Sequence, residues 1–326
     1  MTPSAIRWRL GIALAAATLT ASPTPSASQS TAAPVLVRIA AGLSDTTTPL
    51  LYAQSAGLFT KAGLTVQIQR PQNGAATGAA LIGGSLEIGK SSLLELINAH
   101  QRGVPFVWIA PAGIYRAETP DGGLVVARDS PLRTGRDFNG KTIAVYTLGD
   151  LGVIGVRTWV DANGGDSSTL KIVELSQGAM GDALEAGRVD GAAMFIPAYD
   201  QVMATGKVRL VARTLNSIAK RYLNTVWFTT ASYADAHPDV IIRFEQIMRD
   251  ANAYCNTHTA ETLPLIAAFS GIEPATMAHM IRSTNALYLD SRDVQPVIEA
   301  AAKYKLIDHS FPAQELFSPL ALKAPR

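Results

Sequence analysis

KTIAVYTLGDLGVIGVRTWVDANGG, residues 141–165, decides the fold. Residues 143–146 are a short apolar run rich in β-branched side chains, the pattern of a buried strand. Residues 147–149 are a turn, and Asp150 stands where a helix N-cap belongs. Residues 150–163 read as a helix, closed by Gly164 and Gly165. A strand that passes directly into a helix is the building unit of a parallel sheet.

The same alternation extends in both directions. Toward the N-terminus, residues 35–40, 64–70, 86–89 and 106–110 read as strands, separated by helical stretches at 49–59, 75–82 and 91–102. Pro49 suits a first helical turn, Gly83 and Gly84 end the second stretch, and a serine caps the third. A second unit begins near Gly123 with a strand at 124–128. After the quoted segment come strands at 172–175, 191–195, 208–212 and 226–230, and a helix at 180–186 ended by Gly187. Beyond Ala234 the pattern is helical only, and such a tail is expected to pack back on the first unit. The expected fold is α/β, two-lobed, with mostly parallel sheets carrying helices on both faces.

Bulk properties agree. A chain of 326 residues is long enough for two lobes that each bury a core. With 48% hydrophobic and 17% charged residues it has the composition of a globular protein. A net charge of +2, without a basic cluster interleaved with aromatics, argues against nucleic acid as a partner. Arg7 and Arg9, an Ala/Leu run over 10–19 and a Ser/Pro/Ala stretch over 21–33 follow the order of a secretory signal peptide. The run is too short to span a bilayer. Cleavage after Ser28 or Ala33 is expected, giving a mature chain that begins between Gln29 and Pro34 in the periplasm, with no cysteine to carry a lipid anchor. Cys255, the single cysteine, shares a helical pattern with Ile241, Ile242, Phe244, Met248 and Ala251 and reads as a buried, inert thiol.

Local motifs of catalysis are weak. Gly84-Ser-Leu-Glu-Ile-Gly-Lys-Ser91 matches the phosphate-binding loop of nucleotide hydrolases. That loop needs a strand before its first glycine and a helix opening at its lysine. Here a helical stretch precedes Gly84 and the strand lies inside the supposed loop, so nucleotide binding is not expected. His100, His237, His258, His279 and His309 show no metal-ligand spacing. No Gly-x-Ser-x-Gly elbow occurs, and Gly149, Gly152 and Gly155 are not a dinucleotide fingerprint. No enzyme activity, cofactor or metal is expected.

Five separated segments carry a resemblance. They are Pro49 to Gln54 with Gly57-Leu-Phe59, Ala62-Gly63-Leu64 and Val66; Ala80-Leu81, Gly84, Leu86 to Gly89 and Ser91-Ser92; Asp137 to Val145; Ala183 to Gly191 with Pro197; and Pro296 to Ile307 with Phe311 to Glu315. In this order they resemble the periplasmic solute-binding proteins of ABC importers for nitrate, taurine and aliphatic sulfonates, a family that also includes binders of thiamine-precursor pyrimidines. The chain departs from that pattern at Ile196, where the family usually has an acidic residue, and at Lys90, where it often has an apolar one.

The resemblance implies a first lobe of residues 34–122 and 226–326, a second of 123–225, and a ligand held between them at the strand C-terminal ends. Three strand-to-helix junctions then face the cleft: residues 44–48, Ser91 with Ser92, and 147–152. Helix starts offer unpaired N–H groups and partial positive charge, which suits a sulfonate, nitrate or carboxylate. Thr46, Thr47, Ser91 and Ser92 add hydroxyls, and Gly149 lies at the third junction; each hydroxyl has the alternative of capping its own helix. Asp150 either caps its helix or meets an amine of a zwitterionic or heterocyclic ligand. Phe195, Ile196, Pro197 and Tyr199 form an apolar wall or ordinary core, and Asn224 and Thr225 line the hinge. The implied protein is a monomer that closes on a small molecule and docks on a membrane permease with its ATPase. The same fold also suits an enzyme of thiamine-pyrimidine synthesis or a ligand-presenting sensor subunit.

Overall fold

The computed structural model describes residues 1–2, 33–71, 74–278 and 281–322. The signal-peptide reading, with its possible cleavage point after Ser28, and His279 lie outside the described residues. The strands are β1 (Val35–Ala40), β2 (Leu64–Gln69), β3 (Ile88–Ser92), β4 (Phe106–Pro111), β5 (Gly113–Arg116), β6 (Gly122–Ala127), β7 (Thr142–Val145), β8 (Lys171–Glu174), β9 (Gly191–Phe195), β10 (Val208–Ala212), β11 (Arg221–Leu223), β12 (Thr225–Thr230) and β13 (Thr284–Asn285).

Two five-stranded sheets result, ordered β2-β1-β3-β12-β4 and β10-β6-β9-β7-β8. In the first, β2, β1 and β3 are mutually parallel and β12 runs antiparallel to both neighbours, β3 and β4. Four strands therefore point one way and one is reversed. The second sheet repeats this: β8, β7 and β9 are parallel, and β6 is antiparallel to β9 and β10. The reversed strands, β6 and β12, are those that follow the two crossings of the chain between sheets. A strand arriving from the other sheet enters at the edge where its neighbours end, so it has to run backwards.

The crossings are β5 and β11, paired antiparallel in a small third sheet with β13. Sequence reading misses all three strands, because segments of two to four residues are too short to show alternation. It also places β3 two residues early. Ser85 and Leu86 are used by the turn, both donating to the Ala80 carbonyl, and pairing with β12 carries the strand on to Ser92. The helix expected over 49–59 is broken into Thr48–Ser55 and Leu58–Lys61 at Gly57, whose φ of 67° favours glycine.

Alternation along β12 sends neighbouring aromatics to opposite faces of the first sheet. Trp227 joins a core with Val37, Ile109 and the Val240, Ile241, Phe244 and Met248 stripe of the helix Pro238–Thr257. Phe228 joins another with Trp108, Leu93, Val297, Ile298 and Phe317. The C-terminal segment thus packs back on the first sheet, where the Ser318 N–H donates to the Trp108 carbonyl at 2.9 Å. Leu151 and Ile154, on the helix Leu151–Ala162, and Leu215 enter this same cluster, so an apolar seam runs between the two sheet systems.

Candidate functional site

A cavity of about 640 Å³ lies where the C-terminal edges of the two large sheets face each other. Its wall is drawn from the loop after β1, the end of β3, the start of β12, and the segments after β7, β8 and β9.

Lys90 enters this cavity from the centre of β3 and is buried. Its ammonium donates to Ser44 Oγ at 2.9 Å, Thr46 Oγ1 at 2.8 Å and Thr47 Oγ1 at 2.6 Å. Three protons thus meet three neutral hydroxyls. The nearby Asp45 is engaged by Arg282 at 2.8 Å and by the Ser283 N–H. Burial without a carboxylate in contact pulls the Lys90 pKa down to about 7, Asp45 opposing only at longer range. The helix Gly74–Ile82 precedes Gly84, and Lys90 lies within a strand, so the strand–loop–helix context of a phosphate-binding loop is absent.

Four carboxylates line the same cavity; Asp45 is paired with Arg282, and each of the other three is fixed through one oxygen. Glu95 Oε2 accepts from the Ser91 hydroxyl. Asp150 Oδ1 caps the helix Leu151–Ala162, accepting from the Gly152 N–H at 2.8 Å. Asp121 Oδ2 accepts from Asn224 Nδ2 at 3.3 Å, and its Oδ1 is buried with no hydrogen-bond partner. The second oxygens of Glu95 and Asp150 likewise receive no hydrogen bond among the described residues. Burial raises Asp150 to about 7, helped by the charges of Glu95 and Asp121 and opposed by the Gly152 N–H. Burial also raises Asp121 to about 6 against the pull of its own backbone N–H, of Arg213 and of Asn224. The packing around Glu95 is close: a Cβ on Gly74 would lie 2.0 Å from Oε2, so residue 74 has to be glycine for the carboxylate to sit there. Among the described residues no His, Cys, Asp and Glu side chains are grouped to hold a metal ion.

Of the residues singled out from sequence, Thr46, Ser91, Ser92, Asp150, Phe195, Ile196, Pro197 and Asn224 line the cavity. Three do not. Thr47 is fully buried behind Lys90, holding its ammonium and donating to the Gly42 carbonyl. Gly149 presents its carbonyl to the Ser92 hydroxyl at 3.3 Å, a contact from one side of the cleft to the other. Tyr199 is buried in the core of the second sheet with the Arg213 guanidinium over its ring.

The expected open helix starts are largely closed. The Leu93 N–H donates to the Asn224 carbonyl, Ser92 Oγ caps the Glu95 N–H, and both Gly152 and Val153 N–H groups go to Asp150. Ser91, expected at a helix start, belongs to β3. The helix Gln177–Glu185, whose Gln177 and Gly178 line the cavity, starts without a side-chain cap, as does the helix Ala198–Ala204 that follows Pro197. Sequence reading misses Glu95, Asp121 and Gln177. Glu95 has the look of an ordinary first-turn acid, and Asp121, in the stretch Thr119-Pro-Asp-Gly-Gly123, that of a turn residue.

Over 254 residues the chain is 25% identical to the taurine-binding periplasmic protein of Escherichia coli (strain K12), an alignment covering 73% of this chain and 75% of that one. The periplasmic aliphatic sulphonate binding protein SsuA from Escherichia coli superposes with a TM-score of 0.72 at 17% identity, over 90% of this chain and 94% of that one. The periplasmic nitrate-binding protein NrtA from Synechocystis PCC 6803 gives 0.71 at 12% identity, over 86% and 84%. The fold is that of periplasmic binding proteins. The family model described as NMT1/THI5 like matches residues 45–262, well over half of the sequence, and the chain belongs to that family.

Proposed function

We propose that this protein is the solute-capturing subunit of an ABC-type importer, exported to the periplasm and delivering a small organic molecule to a membrane permease. The observation that carries this reading is the roomy cavity between the C-terminal edges of two sheets joined by paired crossing strands. Such a cleft encloses a ligand when the lobes close, and closure gives a partner membrane protein a surface to read. Residues 34–122 and 226–326 form one lobe and 123–225 the other; the protein works as a monomer, without a covalent step. The cavity takes an organic molecule whose polar groups meet the carboxylates and the Gln177–Gly178 helix start, with Phe195, Ile196 and Pro197 as its apolar wall.

A melting-temperature screen of sulfonates, carboxylates and pyrimidines on protein taken from the cell envelope tests the reading, because a ligand bound only by the folded state raises the transition. The expected results are stabilisation by one chemical class and a mature N-terminus between Gln29 and Pro34 by mass spectrometry. Protein recovered from the cytoplasm with Met1 intact, unmoved by every class, sinks it.

A further inference from the structure

The charges inside the cavity do not match a plain anion. Besides Asp45, which is paired with Arg282, three carboxylates, Glu95, Asp121 and Asp150, share it with one ammonium, and that ammonium already gives its protons to three hydroxyls. No carboxylate among the described residues lies within ion-pair distance of Lys90. Among the described residues each acid is held by one oxygen and the other receives no donor, and Asp121 Oδ1 is buried in that condition. A buried carboxylate oxygen without a donor is unfavourable and persists only where something else meets it.

The acids also come from different places. Glu95 lies on the helix Leu93–Gln101 after β3 of the first sheet, Asp150 at the helix after β7 of the second, and Asp121 on the crossing just before β6. Their mutual repulsion opposes bringing the two sheets together.

We propose that the site selects ligands bearing a cationic nitrogen, which lodges among Glu95, Asp121 and Asp150 and relieves the repulsion that resists closure. This rests on the reading of the cleft as a solute site and narrows it to amine-bearing or otherwise cationic solutes. A sulfonate or carboxylate on the same molecule is received elsewhere in the cavity, at the uncapped Gln177–Gly178 helix start. An anion without the nitrogen faces three acids and gains nothing from them.

Matched pairs of probes isolate the nitrogen: 2-aminoethanesulfonate against ethanesulfonate, and β-alanine against propionate. Titration calorimetry on the wild type is expected to give the amine-bearing member of at least one pair an affinity at least about tenfold higher, the usual scale of one charge-assisted hydrogen bond. The variant Asp121→Asn/Asp150→Asn, which keeps shape and the helix cap, is expected to lose that preference while melting no lower than wild type. Equal or tighter binding of the nitrogen-free partners, or an amine preference that survives in the double variant, overturns the inference. Binding by a nitrogen-free anion of the wider screen, with neither pair binding, overturns it too but leaves the solute-binding reading standing. Binding by no compound of either set defeats both.

Discussion

Replacing Asp150 with asparagine should stabilise the empty protein at neutral and alkaline pH, although the aspartate caps a helix. Asparagine caps as well as aspartate does, so the bond to the Gly152 N–H is retained in kind. What is lost is a charge that folding holds in an unfavourable place, beside Glu95 and Asp121. The Asp150 pKa rises from 3.8 to about 7. At about 1.4 kcal/mol per pKa unit, the ionised folded form is disfavoured by about 4 kcal/mol once the pH exceeds both values. Asp150 keeps part of its surface open to the cavity, so we take about half of this, about 2 kcal/mol.

The sign follows from proton counting. Between about pH 4 and pH 7 the folded state holds a proton on Asp150 that the unfolded chain has released, so stability falls as pH rises through that window. Asp121 and Glu245, also raised, act in the same direction. Lys90, lowered to about 7, acts oppositely above it: the unfolded chain holds the extra proton from about 7 to 10.5, and stability recovers as pH rises there. Urea unfolding of wild type and Asp150→Asn, freed of ligand, checks this. A gain of about 2 kcal/mol is expected near pH 8, equivalent to several degrees of melting temperature, with almost none near pH 4. An asparagine variant that is less stable throughout, or that shows the wild-type pH slope, refutes the claim that the aspartate is held against its charge.

Two further outcomes follow from the site. Ser92→Ala should lower stability by about 1 kcal/mol through the lost helix cap while leaving ligand affinity within about threefold, because its hydroxyl proton is committed to Gly149; calorimetry and melting on the same variant decide, and a tenfold affinity loss would show that the hydroxyl reaches the ligand. The wild type should bind ATP no better than Lys90→Ala in equilibrium dialysis with magnesium, since the motif lies on a strand; magnesium-dependent binding lost in the variant would overturn the topological argument.

The fold was largely legible because its long-range order repeats a local unit. Residues 191–195 and 208–212 are strands as read, and Asp150 and Ser92 cap helices, one of the two roles the sequence leaves open for each. Burial of β-branched runs and helix capping are both encoded within a few residues. The small crossing sheet was not legible, since Gly113–Arg116 and Arg221–Leu223 have meaning only in each other's presence. The site was half legible for a related reason. The family resemblance implies that Ser91 and Asn224 lie near the cleft, but not that the Ser91 proton goes to Glu95 or that Asn224 restrains Asp121. Lys90 stands out in the sequence as a departure from the family pattern near the expected cleft, but how it is held there depends on three hydroxyls more than forty residues away.

The contacts between the two sheet systems are unevenly distributed, and this constrains how the cleft opens. At the back, Leu151, Ile154 and Leu215 share an apolar core with Leu93, Val297 and Ile298, and the crossings are clamped by the stacked rings of Tyr115 and Tyr222 at 5.0 Å. Separating that seam would expose several large side chains, each worth about 1.5–3 kcal/mol of burial. At the cavity itself one link across is the long Ser92–Gly149 hydrogen bond, worth about 1 kcal/mol. Opening therefore costs least as a rotation that keeps the seam closed and parts Ser92 from Gly149. The same rotation moves Glu95 away from Asp150, so electrostatic repulsion and the geometry of the hinge favour the same displacement.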